Sequence, residues 1–218
     1  GALAARRAVA VEAMREAELV SERPVPGHSH ARDLSWSIKV DRASLLDAFT
    51  VEDCLTVDEF VIDIGREPLP VLESGVEALA AKAGTDKIRL ALPILCREWE
   101  TEALTEKIRR FRHRGWRRRE AANPYAWSLL GLDPMVRGTP TLDLSCDWPV
   151  FVTNRAAARQ VLAMGASRFT LSPDDSLDNL RSLLAAEGDR ATVIVYQDTP
   201  LFLSESCVTA AWRGRCPG

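Results

Sequence analysis

The sequence predicts an α/β fold: an incomplete TIM-like (β/α) barrel of about seven βα units, preceded by an N-terminal helix and a linker. From Leu34 onward, short apolar runs alternate with amphipathic stretches of helical period, the pattern of βα units on a parallel sheet. Seven strands in this alternation favour a barrel over a doubly wound sheet. A full barrel takes about 250 residues, whereas residues 34–218 fall short of that and show no helix after the seventh strand. Two parts follow: residues 1–33, the helix and linker, and residues 34–218, the barrel, expected to be cut short at its C-terminal end.

In chain order, "GALAARRAVAVEAMREAELV" reads as an amphipathic helix, since Arg6 and Arg7 interrupt its apolar run and Glu12, Arg15, Glu16 and Glu18 recur at helical spacing. The stretch is thus expected to be a helix and not a signal peptide. "SERPVPGHSHARD" is a linker, in which His28 and His30 read as solvated residues. "LSWSIKV" is the first strand and "DRASLLDAF" a short helix opened by Asp41. "DEFVIDIG" is the second strand, followed by the helix "PLPVLESGVEALAAKAG", which Gly84 ends. "KIRLALPIL" is the third, leading into the charged helix "EWETEALTEKIRRFRHRG", and "WRRREAAN" is a poor fourth strand. "TLDLSCDWPVFVTN" holds the fifth, and "RAAARQVLAMG" is a helix with Gly165 as its cap. "SRFTLSP" is the sixth, "DDSLDNLRSLLAAEG" a helix N-capped by Asp174 or Asp175, and "RATVIVYQ" the seventh strand.

Composition excludes several classes. With 46% hydrophobic and 27% charged residues the chain is ordinary for a globular protein. A net charge of -3 argues against a strongly basic, nucleic-acid-coating protein, so any such case is local. No apolar run reaches the length of a membrane span. The five cysteines are odd in number and scattered, which argues against a disulfide framework and for a cytoplasmic protein with reduced thiols.

Barrel active sites form at the C-terminal ends of the strands. Those ends carry Lys39, Asp63, Arg97 with Glu98, Asn123, Asn154, Ser172 and Gln197. As a group they suit a ligand with carboxylate or phosphate and hydrogen-bonding groups; singly, each is a residue type that also caps helices and turns. Lys39, Asp63, Arg97, Asn123 and Gln197 are the expected substrate-binding residues. No G-x-S-x-G elbow, phosphate loop or H-E-x-x-H motif is present, and no histidine lies near a strand end to activate a nucleophile.

"RRFRHRGWRRRE" packs seven arginines between Arg109 and Arg119, with Phe111 and Trp116 interleaved. Either this segment, through Arg112, Arg117 and Arg118, holds phosphates and stacks bases, or it is a solvated helix end whose cations complement the dipole. The tail "SESCVTAAWRGRCPG" sets Cys207 and Cys216 with eight residues between them. Thiolates on a loop after a barrel strand suit an iron–sulfur cluster, which normally takes four cysteines. Cys54, Cys96 and Cys146 read as small apolar fillers.

"SCDWPVFVTNRAAARQVLAMGASRFTLSPDDSLDNLRSL" resembles the stretch that in the collagenase-like peptidase family (U32) runs G-D-x-x-L-N-V-x-N, helix, G, then a strand ending L-S-x-E-L. Asp147, Val150 or Phe151, Asn154, Gly165, Leu171, Ser172 and Leu177 hold the matching places. "YQDTPLFLSESC" is similar to the family's strand followed by P-L-M-x-S/T-x-x-C, with Pro200, Leu201, Ser204 and Cys207 matching. "LALPILCRE" and "ARRAVAVEAM" resemble segments of the longer, two-module members. The departures are Asp174 where glutamate is usual, Asp198 where glycine is common, and the lack of the close glycine–cysteine signature.

The resemblance implies a collagenase-like peptidase, or an oxygen-independent hydroxylase of RNA bases or quinone precursors with prephenate as oxygen donor. In the hydroxylases four cysteines hold a four-iron, four-sulfur cluster. Cys207 would then be its first ligand and Cys216 its second, with the others beyond Gly218 in another part of the parent protein. Asp147, Asn154 and Ser172, which occupy motif positions, become the candidate catalytic residues. The absence of a nucleophile–base pair favours RNA-base hydroxylation over peptide hydrolysis. A non-catalytic barrel that binds RNA or neighbouring modules of the same protein is the alternative from another class.

Overall fold

The computed structural model describes residues 34–132, 142–198 and 208–214. The expected N-terminal helix and linker lie outside these residues. Seven strands, β1 (Ser37–Val40), β2 (Glu59–Asp63), β3 (Ile88–Ala91), β4 (Arg118–Ala121), β5 (Asp143–Cys146), β6 (Ala166–Thr170) and β7 (Ala191–Thr192), form one sheet in chain order. Every neighbouring pair is parallel. Helices α1 (Val51–Thr56), α2 (Leu69–Ala83), α3 (Thr101–His113), α4 (Tyr125–Leu129), α5 (Arg155–Ala163) and α6 (Leu177–Glu187) fill the crossovers, and α7 (Val208–Arg213) follows β7.

The helix ends follow local chemistry. Thr50 accepts the Asp53 amide while Asp53 reaches back to the Thr50 amide, a capping box that starts α1. Gly84 ends α2 at φ 94°, a conformation open to glycine. Asn154 caps α5 through the Ala157 amide, and Ser176 caps α6 through the Asn179 amide. Ser176, not Asp174 or Asp175, is therefore the α6 cap; Asp175 instead accepts from the Ser176 amide and the Asn179 side chain. Asp41, expected to open the first helix, pairs with Arg66; the expected helix is a 3-10 turn (Ala43–Ala48), and α1 begins after it.

In a parallel sheet, residues in register share a face. Phe60, Ile62, Leu90, Ala121, Leu144, Cys146 and Phe169 face the helices and build the apolar core with Leu72, Val76 and Leu79 of α2 and Leu104, Ile108 and Phe111 of α3. The alternate residues face the inside of the curl, and this interior is polar. Glu59, Arg89, Arg118, Glu120, Asp143, Ser145, Arg168 and Thr170 stand where aliphatic side chains usually fill a barrel.

Ion pairs across this interior establish the curl. β1 and β5 are four strand spacings apart, roughly 19 Å along a flat sheet, yet Lys39 Nζ lies 2.5 Å from Asp147 Oδ2 just beyond β5. Arg168 of β6 likewise pairs with Glu59 of β2. The described architecture is thus an incomplete TIM-like barrel with β1 and β7 as its edges.

At the N-terminal end of the strands Arg89 closes the interior. Its Nε meets Glu59 Oε1 at 3.0 Å, its Nη2 meets Asp143 Oδ2 at 2.7 Å, and its Nη1 donates to the carbonyls of Arg119 and Asp143. β7 is much shorter than "RATVIVYQ" suggested. Only Ala191 and Thr192 pair with β6, and Val193, Val195 and Tyr196 are exposed, because an edge strand has one neighbour and little to bury against.

Candidate functional site

The C-terminal end of the barrel holds a compact charged group. Lys39, next to last in β1, points inward and donates to Glu120 Oε1 at 2.7 Å and Asp147 Oδ2 at 2.5 Å. Glu120 is next to last in β4, and Asp147 directly follows β5. Both carboxylates are nearly buried, with side chains 7% exposed, while the lysine side chain is 38% exposed. The lysine side chain is therefore the part of the group most open to an entering ligand. Ser145 donates to Glu120 Oε2 at 3.3 Å, and Asp147 Oδ1 accepts from the Trp148 amide at 2.8 Å, so both carboxylates are held on a second side.

Burial alone would lower the Lys39 pKa, but the charges of Glu120 and Asp147 and their hydrogen bonds outweigh it and raise it above the ordinary lysine value. Lys39 is thus a fixed cation at neutral pH, a hydrogen-bond donor and not an amine nucleophile. With two carboxylates to one ammonium the group carries a net negative charge, which disfavours a bound phosphate.

Asp63, the last residue of β2, stands beside this group. Burial raises its pKa, against the Gly65 amide that donates to its Oδ1 at 2.6 Å and the nearby charge of Lys39. Gly65 itself has no room for a side chain: a Cβ there would lie 2.8 Å from Pro93 Cβ and 3.0 Å from Asp63 Oδ1. Lys107 of α3 reaches under this loop and donates to the carbonyls of Ile64 and Gly65 at 2.8 and 3.0 Å. Burial lowers its pKa, with Asp63, Glu100 and Glu67 acting in the opposite sense.

Of the residues expected from the sequence, Lys39, Asp63 and Asp147 meet at this mouth. Asn123 is tied into the scaffold: its Nδ2 donates to the carbonyls of Pro93 and Ile94, and its Oδ1 accepts from the Ala126 amide. Asn154 serves as the α5 cap. Ser172 is buried and accepts from the Asp174 amide at 3.3 Å. Arg97 pairs with Glu100 at 3.0 Å and lies 5.9 Å from the Trp99 ring centre. Gln197 is half-buried, five residues beyond β7. Glu120 and Lys107 were missed. Glu120 sits in the weak-looking fourth strand, where the spacing Arg118–Glu120–Ala122 marks one face.

The arginine-rich segment lies at the other end of the strands and is largely paired. Arg109 meets Glu106, Arg110 meets Glu73, and Arg114 pairs with Glu73 and Glu77 of α2. Arg118 turns inward to Asp143 and Glu59. Arg112 and Arg117 are exposed beside it. Arg119 faces the helices, only 1% exposed, with Nε and Nη2 unpartnered. Cys207 and Cys216 lie outside the described residues. Among the described residues no group of three or more His, Cys, Asp or Glu could hold a metal ion. Cys54 and Cys146 are buried, and burial with the charges of Glu120 and Asp147 pushes the Cys146 thiol up to about 12. No described helix is long and apolar enough to cross a membrane.

No family model and no curated protein matches the chain. Among solved structures it is similar to the crystal structure of a mandelate racemase/muconate lactonizing protein from Herpetosiphon aurantiacus, with 10% sequence identity and a TM-score of 0.47 over 76% of this chain and 47% of that one. The chain thus spans about half the length of that protein.

Proposed function

We propose that the chain is a barrel module of a U32-type, collagenase-like protein that takes part in oxygen-independent hydroxylation of an RNA base. The observation that carries this reading is the Lys39–Glu120–Asp147 group at the barrel mouth. It offers one cation held by two pinned carboxylates, a donor for a carbonyl on the polar edge of a heterocycle. The motif order ending in Cys207 supports the family reading.

Redox chemistry is favoured over peptide hydrolysis because Lys39 is held protonated and the Cys146 thiol is pushed out of the reactive range. The three described cysteines do not fit a cluster: Cys146 faces the helix layer, Cys54 belongs to α1, and Cys96, before α3, lies against the Arg97 carbonyl. Cluster ligation therefore falls to Cys207 and Cys216 together with cysteines elsewhere in the parent protein. When bound, such a cluster would supply electron transfer. Within this chain, Lys39 donates to the substrate, and Glu120 and Asp147 orient the ammonium.

Anaerobic purification of the parent protein with iron and sulfide analysis tests the cofactor. The expected result is about four of each per chain, lost in Cys207→Ala. A colourless wild-type protein without iron would remove the hydroxylase reading and leave a binding module.

A further inference from the structure

Directly after β5 the chain makes a tight turn that carries both a site carboxylate and an exposed aromatic ring. The Val150 amide donates to the Asp147 carbonyl at 3.1 Å, and the Phe151 amide to the Trp148 carbonyl at 2.9 Å. The turn leaves Phe151 at φ 55° and ψ 55°, the one left-handed residue other than glycine among the described residues. A bulky side chain is rare in this region. Burial does not explain it, because Phe151 is 54% exposed. Its ring is steadied by Trp148, which packs against it edge to face at 5.9 Å and 84°.

The adjacent loops repeat the pattern. Trp99, between β3 and α3, is 77% exposed with the Arg97 guanidinium 5.9 Å from its ring, and Tyr125 at the start of α4 is exposed as well. Three consecutive βα connections at the barrel end that carries the Lys39 group therefore present aromatic rings to solvent.

We propose that the Trp148–Phe151 turn is a stacking platform for one unpaired nucleobase of a single-stranded RNA, held beside the Lys39–Glu120–Asp147 group. This rests on the RNA-base reading above and adds to it the substrate form and the residue that receives it. A flat ring stacks on an exposed aromatic face whatever its sequence, and only an unpaired base offers both faces and its hydrogen-bonding edge. Lys39, oriented by Glu120 and Asp147, suits a carbonyl of that edge, and the net negative charge keeps the phosphates outside.

The test is binding of the full chain to a short fluorescein-labelled single-stranded RNA of mixed sequence and to its duplex, read by anisotropy across a salt series. Phe151→Ala is expected to weaken single-strand binding about ten-fold or more, with Phe151→Tyr close to wild type. The salt slope should not change, since no phosphate contact is lost. Phe151→Asn, whose backbone accepts the left-handed conformation, should fold at least as well as wild type and bind as poorly as Phe151→Ala, which separates stacking from folding. Wild-type binding left intact in both Phe151→Ala and Phe151→Asn would overturn the platform while the RNA reading stands. Wild type that binds no single strand would overturn the RNA reading itself.

Discussion

Lys39 Nζ lies 2.5 Å from Asp147 Oδ2 although the strands that carry them stand four apart in the sheet. The contact reports the curl of the barrel and joins three strand ends, with Glu120, into one site. If it holds two carboxylates that would otherwise face each other unpaired, Lys39→Met should cost about 2 kcal/mol, toward the low end for a buried pair because the lysine is partly exposed. Adding Glu120→Gln and Asp147→Asn should restore most of the loss. Urea unfolding checks both, and a triple variant no more stable than Lys39→Met would contradict the account.

At the opposite end of the interior, burial would raise the Asp143 pKa. The Ser167 hydroxyl and the Arg89 and Arg118 guanidiniums outweigh it and hold it at about 2. A carboxylate whose folded pKa is depressed stabilises the fold above its unfolded pKa, and loses that contribution as pH falls toward the folded value. Stability should therefore decline between about pH 4 and pH 2. That decline should be shallower in Asp143→Asn, as measured by thermal melting across pH.

Gly65 tests the cradle around Asp63. A methyl group there meets Pro93 and the Asp63 carboxylate, so Gly65→Ala should cost about 1–3 kcal/mol through overpacking. An unchanged melting temperature would show that the loop has room to move.

Arg119 makes the opposite prediction. Its guanidinium is buried with two nitrogens unpartnered, and burial together with the charges of Arg112, Arg117 and Arg89 lowers its pKa to about 10. Arg119→Met removes the unpaired donors and keeps the apolar stem, and should raise stability by about 1 kcal/mol. A loss on chemical denaturation would mean that the guanidinium has a partner in solution.

The sheet was legible because apolar runs such as Phe60–Val61–Ile62 and Leu90–Ala91–Leu92 are buried on both faces. The fourth strand read poorly for a physical reason: the curl turns Arg118 and Glu120 into a polar interior and leaves Arg119 against the helices, so no apolar run survives. Glu120, the second carboxylate on Lys39, was hidden with it. Asn123 and Asn154 occupy strand ends, but amide side chains there serve equally to close turns, and only their hydrogen bonds tell which. Lys39 and Asp63 were legible because charge at the end of an apolar strand has few structural uses.

The proposed RNA-base hydroxylation at the Lys39 mouth is open to nucleoside analysis. RNA from cells lacking the gene would be digested and compared by mass spectrometry with RNA from cells complemented by wild type or by Lys39→Met. The account predicts a nucleoside one oxygen heavier than its parent that vanishes with the gene, returns with wild type and fails to return with Lys39→Met at matched protein levels. Identical nucleoside profiles with and without the gene would contradict it.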